Sequence, residues 1–77
     1  MDDIAEGYYE NGNIKEKCWY KNGIYHRDEE PAYIIYHNNG IIKEKRWYQR
    51  GELHRDNNPA IEKYNDQEML IKQEFYI

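Results

Sequence analysis

Fifteen of the 28 residues from Tyr8 to Ile35 recur unchanged and without a gap from Tyr36 to Lys63, and a degenerate half copy follows from Tyr64 to Ile77. A period of this length constrains the fold more than any single residue does, because each unit must bury its apolar surface against its neighbours. The recurring skeleton reads Tyr, Asn-Gly, Ile-Lys-Glu-Lys, Trp-Tyr, Gly, His-Arg-Asp, Pro-Ala. Residues that recur in register are explained more simply by shared geometry than by one active centre. The pattern therefore points to architecture and away from catalysis.

Each copy divides at turn signals: Asn11-Gly12 and Asn39-Gly40, then Asn22-Gly23 and Arg50-Gly51, then the loops Asp28 to Glu30 and Asp56 to Asn58 ahead of proline. Asn-Gly suits two-residue hairpin loops because both residues tolerate positive φ. The intervals predict strands at Gly7 to Glu10, Ile14 to Tyr20, Ile24 to His26, Ala32 to His37, Ile41 to Gln49, Glu52 to His54, Ala60 to Tyr64 and Met69 to Tyr76. The expected fold is all-β, an antiparallel β-meander of about two and a half tandem hairpin repeats in one domain, 1–77, with repeats 8–35 and 36–63 and a half repeat 64–77. Gly12, Gly23, Gly40 and Gly51, with His26, Arg27, Asp28, His54, Arg55 and Asp56, are read as structural repeat positions.

Alternation along the long strand puts Ile42, Glu44, Arg46 and Tyr48 on one face and Ile41, Lys43, Lys45 and Trp47 on the other. Repeat one gives the same partition, with Ile14, Glu16, Cys18 and Tyr20 against Lys15, Lys17 and Trp19. Both faces carry an aromatic, so curl, loops or a partner must cover the second face. Nine Tyr, two Trp and one Phe must supply much of the burial in a chain of 77 residues. In the half repeat, Met69, Ile71 and Phe75 replace Ile41, Lys43 and Trp47, and Gln67-Glu68 replace Asn-Gly. This terminal unit is the more apolar one, and terminal repeats cap the stack or contact something.

On Tyr8, Asn11, Gly12, Trp19, Tyr20 and Gly23, and on Tyr36, Asn39, Gly40, Trp47, Tyr48 and Gly51, nearly the whole chain resembles the MORN-like β-hairpin repeats. The likeness is to the variant with a Tyr-x-x-Asn-Gly turn found among bacterial antitoxin-component proteins and in large DNA viruses. His26-Arg27-Asp28 and His54-Arg55-Asp56 stand where standard MORN repeats have Gly-x-Gly, so the lipid roles proposed for those repeats are not carried over. The resemblance implies a β meander and a binding role without a reaction.

His-Arg-Asp also opens the kinase catalytic loop, where an Asn lies five residues beyond the Asp. Here Tyr33 and Ile61 hold that place, and no Gly-rich loop or partner Lys is present. The motif is therefore read structurally: Arg27 and Arg55 pairing with carboxylates of an adjoining repeat, Asp28 and Asp56 bonding to the loop backbone ahead of Pro31 and Pro59. His26, Asp28, His54 and Asp56 fall too far apart for one metal, since equivalent positions two or three strands apart are separated by roughly 10 to 15 Å at the strand spacing of a sheet. Ligands of one zinc each lie about 2 Å from it. The lone Cys18 makes no intrachain disulfide and has no base motif beside it. No enzyme, cofactor or metal is expected.

The formal net charge is −4, and Val, Ser and Thr are absent, a bias that fits an AT-rich genome of a low-GC bacterium, its phages or a large virus. An acidic start, Met1 to Glu6, with no apolar stretch after it predicts no membrane association and a cytoplasmic chain, in the host cytoplasm if viral. The leading expectation is a non-enzymatic protein-binding module that uses exposed aromatics, Trp19, Tyr20, Trp47 and Tyr48, with Lys17 and Lys45 beside them. A small acidic inhibitor of a host defence enzyme, mimicking nucleic acid or plugging a basic cleft, is the second reading. Single-stranded nucleic acid stacked on a Lys/Trp face is the third, with the negative net charge against it. The apolar strand 69–77, with an unpaired edge, is also expected to pair with a second copy as a homodimer.

Overall fold

Three tight turns of one kind, spaced 28 residues apart, organise the chain. The structure, a computed structural model, describes residues 2–76; Met1, and Ile77 at the end of the expected apolar strand, lie outside the described residues. Its elements are β1 (Asp2–Tyr8), β2 (Ile14–Lys21), β3 (Ile24–Tyr25), β4 (Tyr33–Tyr36), β5 (Ile42–Arg46), β6 (Tyr48–Gln49), β7 (Glu52–Leu53), β8 (Ile61–Tyr64) and β9 (Leu70–Glu74). The protein is all-β, with no helix among the described residues. Its antiparallel main sheet runs β1-β2-β4-β5-β8-β9, with β3 added to β2 and β6–β7 as a separate ribbon.

The hairpins β1–β2, β4–β5 and β8–β9 have the same register. Gly7 faces Glu16, Ile35 faces Glu44 and Lys63 faces Lys72, and the register slips one residue later at Tyr8, Tyr36 and Tyr64. At each turn the chain closes twice. Tyr9 N–H donates to the Asn13 carbonyl at 2.8 Å and Gly12 N–H to the Tyr9 carbonyl at 3.0 Å, and His37/Ile41 with Gly40, then Asn65/Met69 with Glu68, repeat the pair. These are three-residue loops ending in a left-handed residue, not the two-residue loops expected at Asn11-Gly12 and Asn39-Gly40. Gly12 and Gly40 supply the positive φ (+89° and +90°). The Asn contributes its side chain instead: Asn11 Oδ1 accepts from Asn13 N–H at 2.9 Å, and Asn39 Oδ1 from Ile41 N–H at 3.0 Å.

The two-residue geometry occurs at the other turns, where Asn22-Gly23 and Arg50-Gly51 all have positive φ (52°, 82°, 53° and 84°), the type I′ form that matches strand twist. The expected strand Gly7 to Glu10 is corrected. The observed strand begins at Asp2 and ends at Tyr8, because residues 5–8 occupy the place of 33–36 and Tyr9 onward forms the turn. The expected strand Ile41 to Gln49 breaks at Trp47, where the chain leaves β5 for the β6–β7 ribbon. Ladders between copies then fix the spacing of the hairpins. Tyr9 Oη donates to the Tyr36 carbonyl at 2.7 Å, His37 Nε2 to the Tyr64 carbonyl at 2.9 Å, and Asn39 Nδ2 to the Asp66 carbonyl at 3.1 Å. At the far end Gly51 N–H reaches the Tyr25 carbonyl at 3.0 Å and Arg50 N–H reaches His26 Nδ1 at 3.2 Å.

The body measures 33 × 29 × 13 Å, one sheet thick. Among the described residues the buried apolar set is small: Cys18, Ala32, Ile34, Trp47, Pro59, Ala60 and Ile61. The third turn is the weak point in the local chemistry, because Glu68 takes the glycine position at φ +71°. Asn65 compensates in part, its Oδ1 accepting from Gln67 N–H at 2.9 Å and Met69 N–H at 3.0 Å. Glu68→Gly is therefore expected to raise unfolding free energy by about 1 kcal/mol, since a left-handed side chain costs roughly 1–2 kcal/mol and glycine returns part of that as chain entropy. Urea unfolding of the two proteins checks it; an unchanged or lower midpoint contradicts it.

Candidate binding surface

The His-Arg-Asp motif sits on tryptophan. His26 N–H donates to the Trp19 carbonyl at 3.1 Å and His54 N–H to the Trp47 carbonyl at 3.0 Å, which places the next side chain over the indole. The Arg27 guanidinium carbon lies 3.9 Å from the Trp19 ring centre and that of Arg55 3.8 Å from Trp47. Each arginine is pinned a second time, Nη1 donating to the Pro31 carbonyl at 3.3 Å and to the Pro59 carbonyl at 3.2 Å. Positive φ at Glu29 (63°) and Asn57 (62°) folds the loop back so that the proline carbonyl arrives there.

Two expectations for this motif are corrected. Asp28 and Asp56 meet His26 and His54 Nε2 at 3.1 and 3.0 Å instead of the loop backbone. Arg27 pairs with Glu30 at 3.1 Å and Arg55 with Glu62 at 3.5 Å, both within their own copies, because the stack on tryptophan holds each guanidinium over its own loop. The reading of exposed tryptophans is corrected as well. Trp47 is 7 % exposed, and Trp19, Tyr20 and Tyr48 are partly buried. Sequence periodicity showed the face but not the guanidinium that covers it.

The lysines are also engaged. Lys17 Nζ lies 5.2 Å from the Trp19 ring centre and 3.6 Å from Glu6, while Lys45 lies 5.5 Å from the ring of Tyr64, not over Trp47. On the opposite face Tyr25, which the repeat pattern missed because Leu53 is its counterpart, joins Tyr20 (5.0 Å), Tyr48 (4.9 Å) and Tyr33 (5.5 Å) between ring centres. Tyr33 Oη donates to Glu16 at 2.6 Å, and this carboxylate bond drives the phenol well above its ordinary range. The Tyr20 phenol is pushed up to about 12, chiefly by its hydrogen bond to Tyr25 and then by burial. Burial likewise raises the Cys18 thiol, which keeps it from being a ready thiolate. The buried Glu44 carboxylate is met by Arg46 Nε and by Lys63 Nζ at 3.9 Å.

Between the two loops lies a cavity of about 320 Å³ lined by Arg27, Trp47, Tyr48, Gln49, His54 and Arg55, with the carboxylates of Glu29 and Asp56 also on its wall. Its walls offer guanidinium, imidazole, amide and phenol donors beside those two carboxylates, and the stacks on tryptophan hold the two guanidinium groups in place. Among the described residues no three His, Cys, Asp or Glu side chains converge closely enough to hold a metal ion, and no helix is long and apolar enough to cross a membrane. Compared with family models, curated proteins and solved structures, the chain matches none of them.

Arg55→Ala is expected to lower unfolding free energy by about 2–3 kcal/mol, from a cation–π contact worth roughly 1–2 kcal/mol when desolvated and the lost charged hydrogen bond to Pro59. Loss below 0.5 kcal/mol on the order of surface substitutions, measured in urea, would contradict the stack. A separate titration tests the tyrosine face. Because the folded Tyr20 phenol lies above its ordinary value of 10.0, its stabilising contribution is complete below that value and is lost as pH rises toward about 12. Phenolate absorbance should show a late component near that upper value which Tyr20→Phe removes; an identical curve in the variant counts against the Tyr20–Tyr25 bond.

Proposed function

We propose that this chain is a non-enzymatic protein-binding β-repeat module, and that its contact surface is the cleft between the two His-Arg-Asp loops. One observation carries this reading: Arg27 and Arg55 are both immobilised on indole rings beside a cavity of about 320 Å³. Preorganised guanidinium groups lose little freedom on binding and suit planar carboxylates. The partner is a protein segment bearing acidic side chains, laid against Tyr48 and Gln49 with a carboxylate toward Arg27 or Arg55. The MORN-like resemblance of the repeats is compatible with such a role. Nucleic acid stacked on Trp19 or Trp47 is the weaker alternative, because a base would have to displace the guanidinium from each ring.

Gln49 and Asn58 are exposed residues lining the cleft, so Gln49→Glu with Asn58→Asp adds negative charge there without touching the stacks. Tagged wild type is expected to retain a stoichiometric, nuclease-resistant protein from lysate of the native or infected host, and the double variant, folded by circular dichroism, is expected to lose it. Equal retention by both would sink the cleft as the interface. Partners that disappear with nuclease would favour the nucleic-acid reading instead.

A further inference from the structure

The sheet carries its own complement at its two edges. Shifting by 28 residues takes β2 onto β5 and β5 onto β9, and takes residues 5–8 of β1 onto β4 and then β8. Two internal seams follow from this shift. β2 meets β4 through Glu16/Ile35, Lys17/Ile34 and Cys18/Tyr33, and β5 meets β8 through Glu44/Lys63, Lys45/Glu62 and Arg46/Ile61. Each seam is finished by an indole residue, Trp19 N–H donating to the Ala32 carbonyl and Trp47 N–H to the Ala60 carbonyl, both at 2.8 Å. The outer edge of β9 is the next such edge, and the outer edge of β1 is the strand that fits it.

We propose that copies of this chain associate head to tail, β9 of one molecule pairing with β1 of the next in the register of the internal seams. That register sets Lys72 opposite Gly7, Gln73 opposite Glu6 and Glu74 opposite Ala5 of the second copy, with Phe75 N–H toward its Ile4 carbonyl. The side chains at the edges are complementary in charge. Glu16 leans over Gly7, its Oε1 3.2 Å from where a β-carbon would stand, so a carboxylate occupies the row into which Lys72 points. Among the described residues Lys72 has only Glu74, at 3.7 Å, as an ion-pair partner, and its side chain is 59 % exposed.

Apolar size is complementary too. Internal seams pair a large Trp with a fully buried Ala, whereas the open edges carry a smaller Phe75, 63 % exposed, and a larger Ile4, 57 % exposed. The contact is heterologous, so it leaves one free edge at each end and propagates as an open line instead of closing as a dimer. A seam of three residue pairs is short, and association therefore depends steeply on concentration.

Sedimentation of purified protein over a range of concentrations tests this. Wild type is expected to rise in average mass beyond a dimer. Phe75→Lys and Ile4→Lys, at exposed positions that leave folding intact by circular dichroism, block β9 and β1 respectively, and each alone is expected to sediment as a monomer. Their equimolar mixture regains one usable seam and is expected to reach twice the monomer mass and stop. A wild type that stays monomeric throughout overturns the proposal. So does an Ile4→Lys protein that still forms dimers, which would mark a symmetric β9–β9 contact, or a mixture that stays monomeric.

Discussion

A guanidinium lying flat on an indole is the contact on which this structure depends. A sheet 13 Å thick has no second layer, and yet both of its faces carry rings that water would otherwise reach. On the tryptophan face the His-Arg-Asp loop takes the place of a second layer, since Arg27 and Arg55 lie 3.9 and 3.8 Å from the ring centres and are locked by the proline carbonyls. Arginine suits this place because its planar, weakly hydrated head stacks while its edge still donates hydrogen bonds. On the other face tyrosines cover one another around Tyr25, and their hydroxyls find Glu16 or a neighbouring phenol. Cohesion thus comes from ring-to-cation and ring-to-ring contacts more than from a sealed aliphatic core.

Those stacks act within a copy, and different bonds join the copies. At the tight-turn end a side chain from one turn reaches the carbonyl of the next, whether it is Tyr9 or His37. At the other end the Arg50-Gly51 turn docks on Tyr25 and His26. The two ladders hold successive hairpins parallel, and this leaves the His-Arg-Asp loops side by side with a cavity between them that both donors and carboxylates line. The proposed binding surface is therefore a consequence of the repeat spacing: single loops cannot form it.

Much of the fold was legible because glycine and asparagine mark turns through backbone chemistry that needs no tertiary context. Gly12, Gly23, Gly40 and Gly51 all carry positive φ, as the turn signals implied. The first strand was not legible from identity, since Ala5, Glu6 and Gly7 share no side chain with Tyr33, Ile34 and Ile35, although they pair in the same register. Nor was the equivalence of Tyr9 and His37, because the ladder requires only a donor of suitable reach. The surface was legible as a set of recurring positions and misread in exposure. Alternation assigns Trp47 to a face correctly but contains nothing about a loop, eight residues on, that folds back over it.

Proton chemical shifts of the arginine side chains test the central claim most directly, because an aromatic ring displaces the resonances of nuclei held over its face. The account predicts that the δ-methylene and Nε protons of Arg27 and Arg55 resonate well upfield of those of the exposed Arg50, and that Trp19→Leu returns only the Arg27 set to ordinary positions. Ordinary shifts for Arg27 and Arg55 in the folded protein would contradict it, and would mean that something other than the His-Arg-Asp loops covers the tryptophan face.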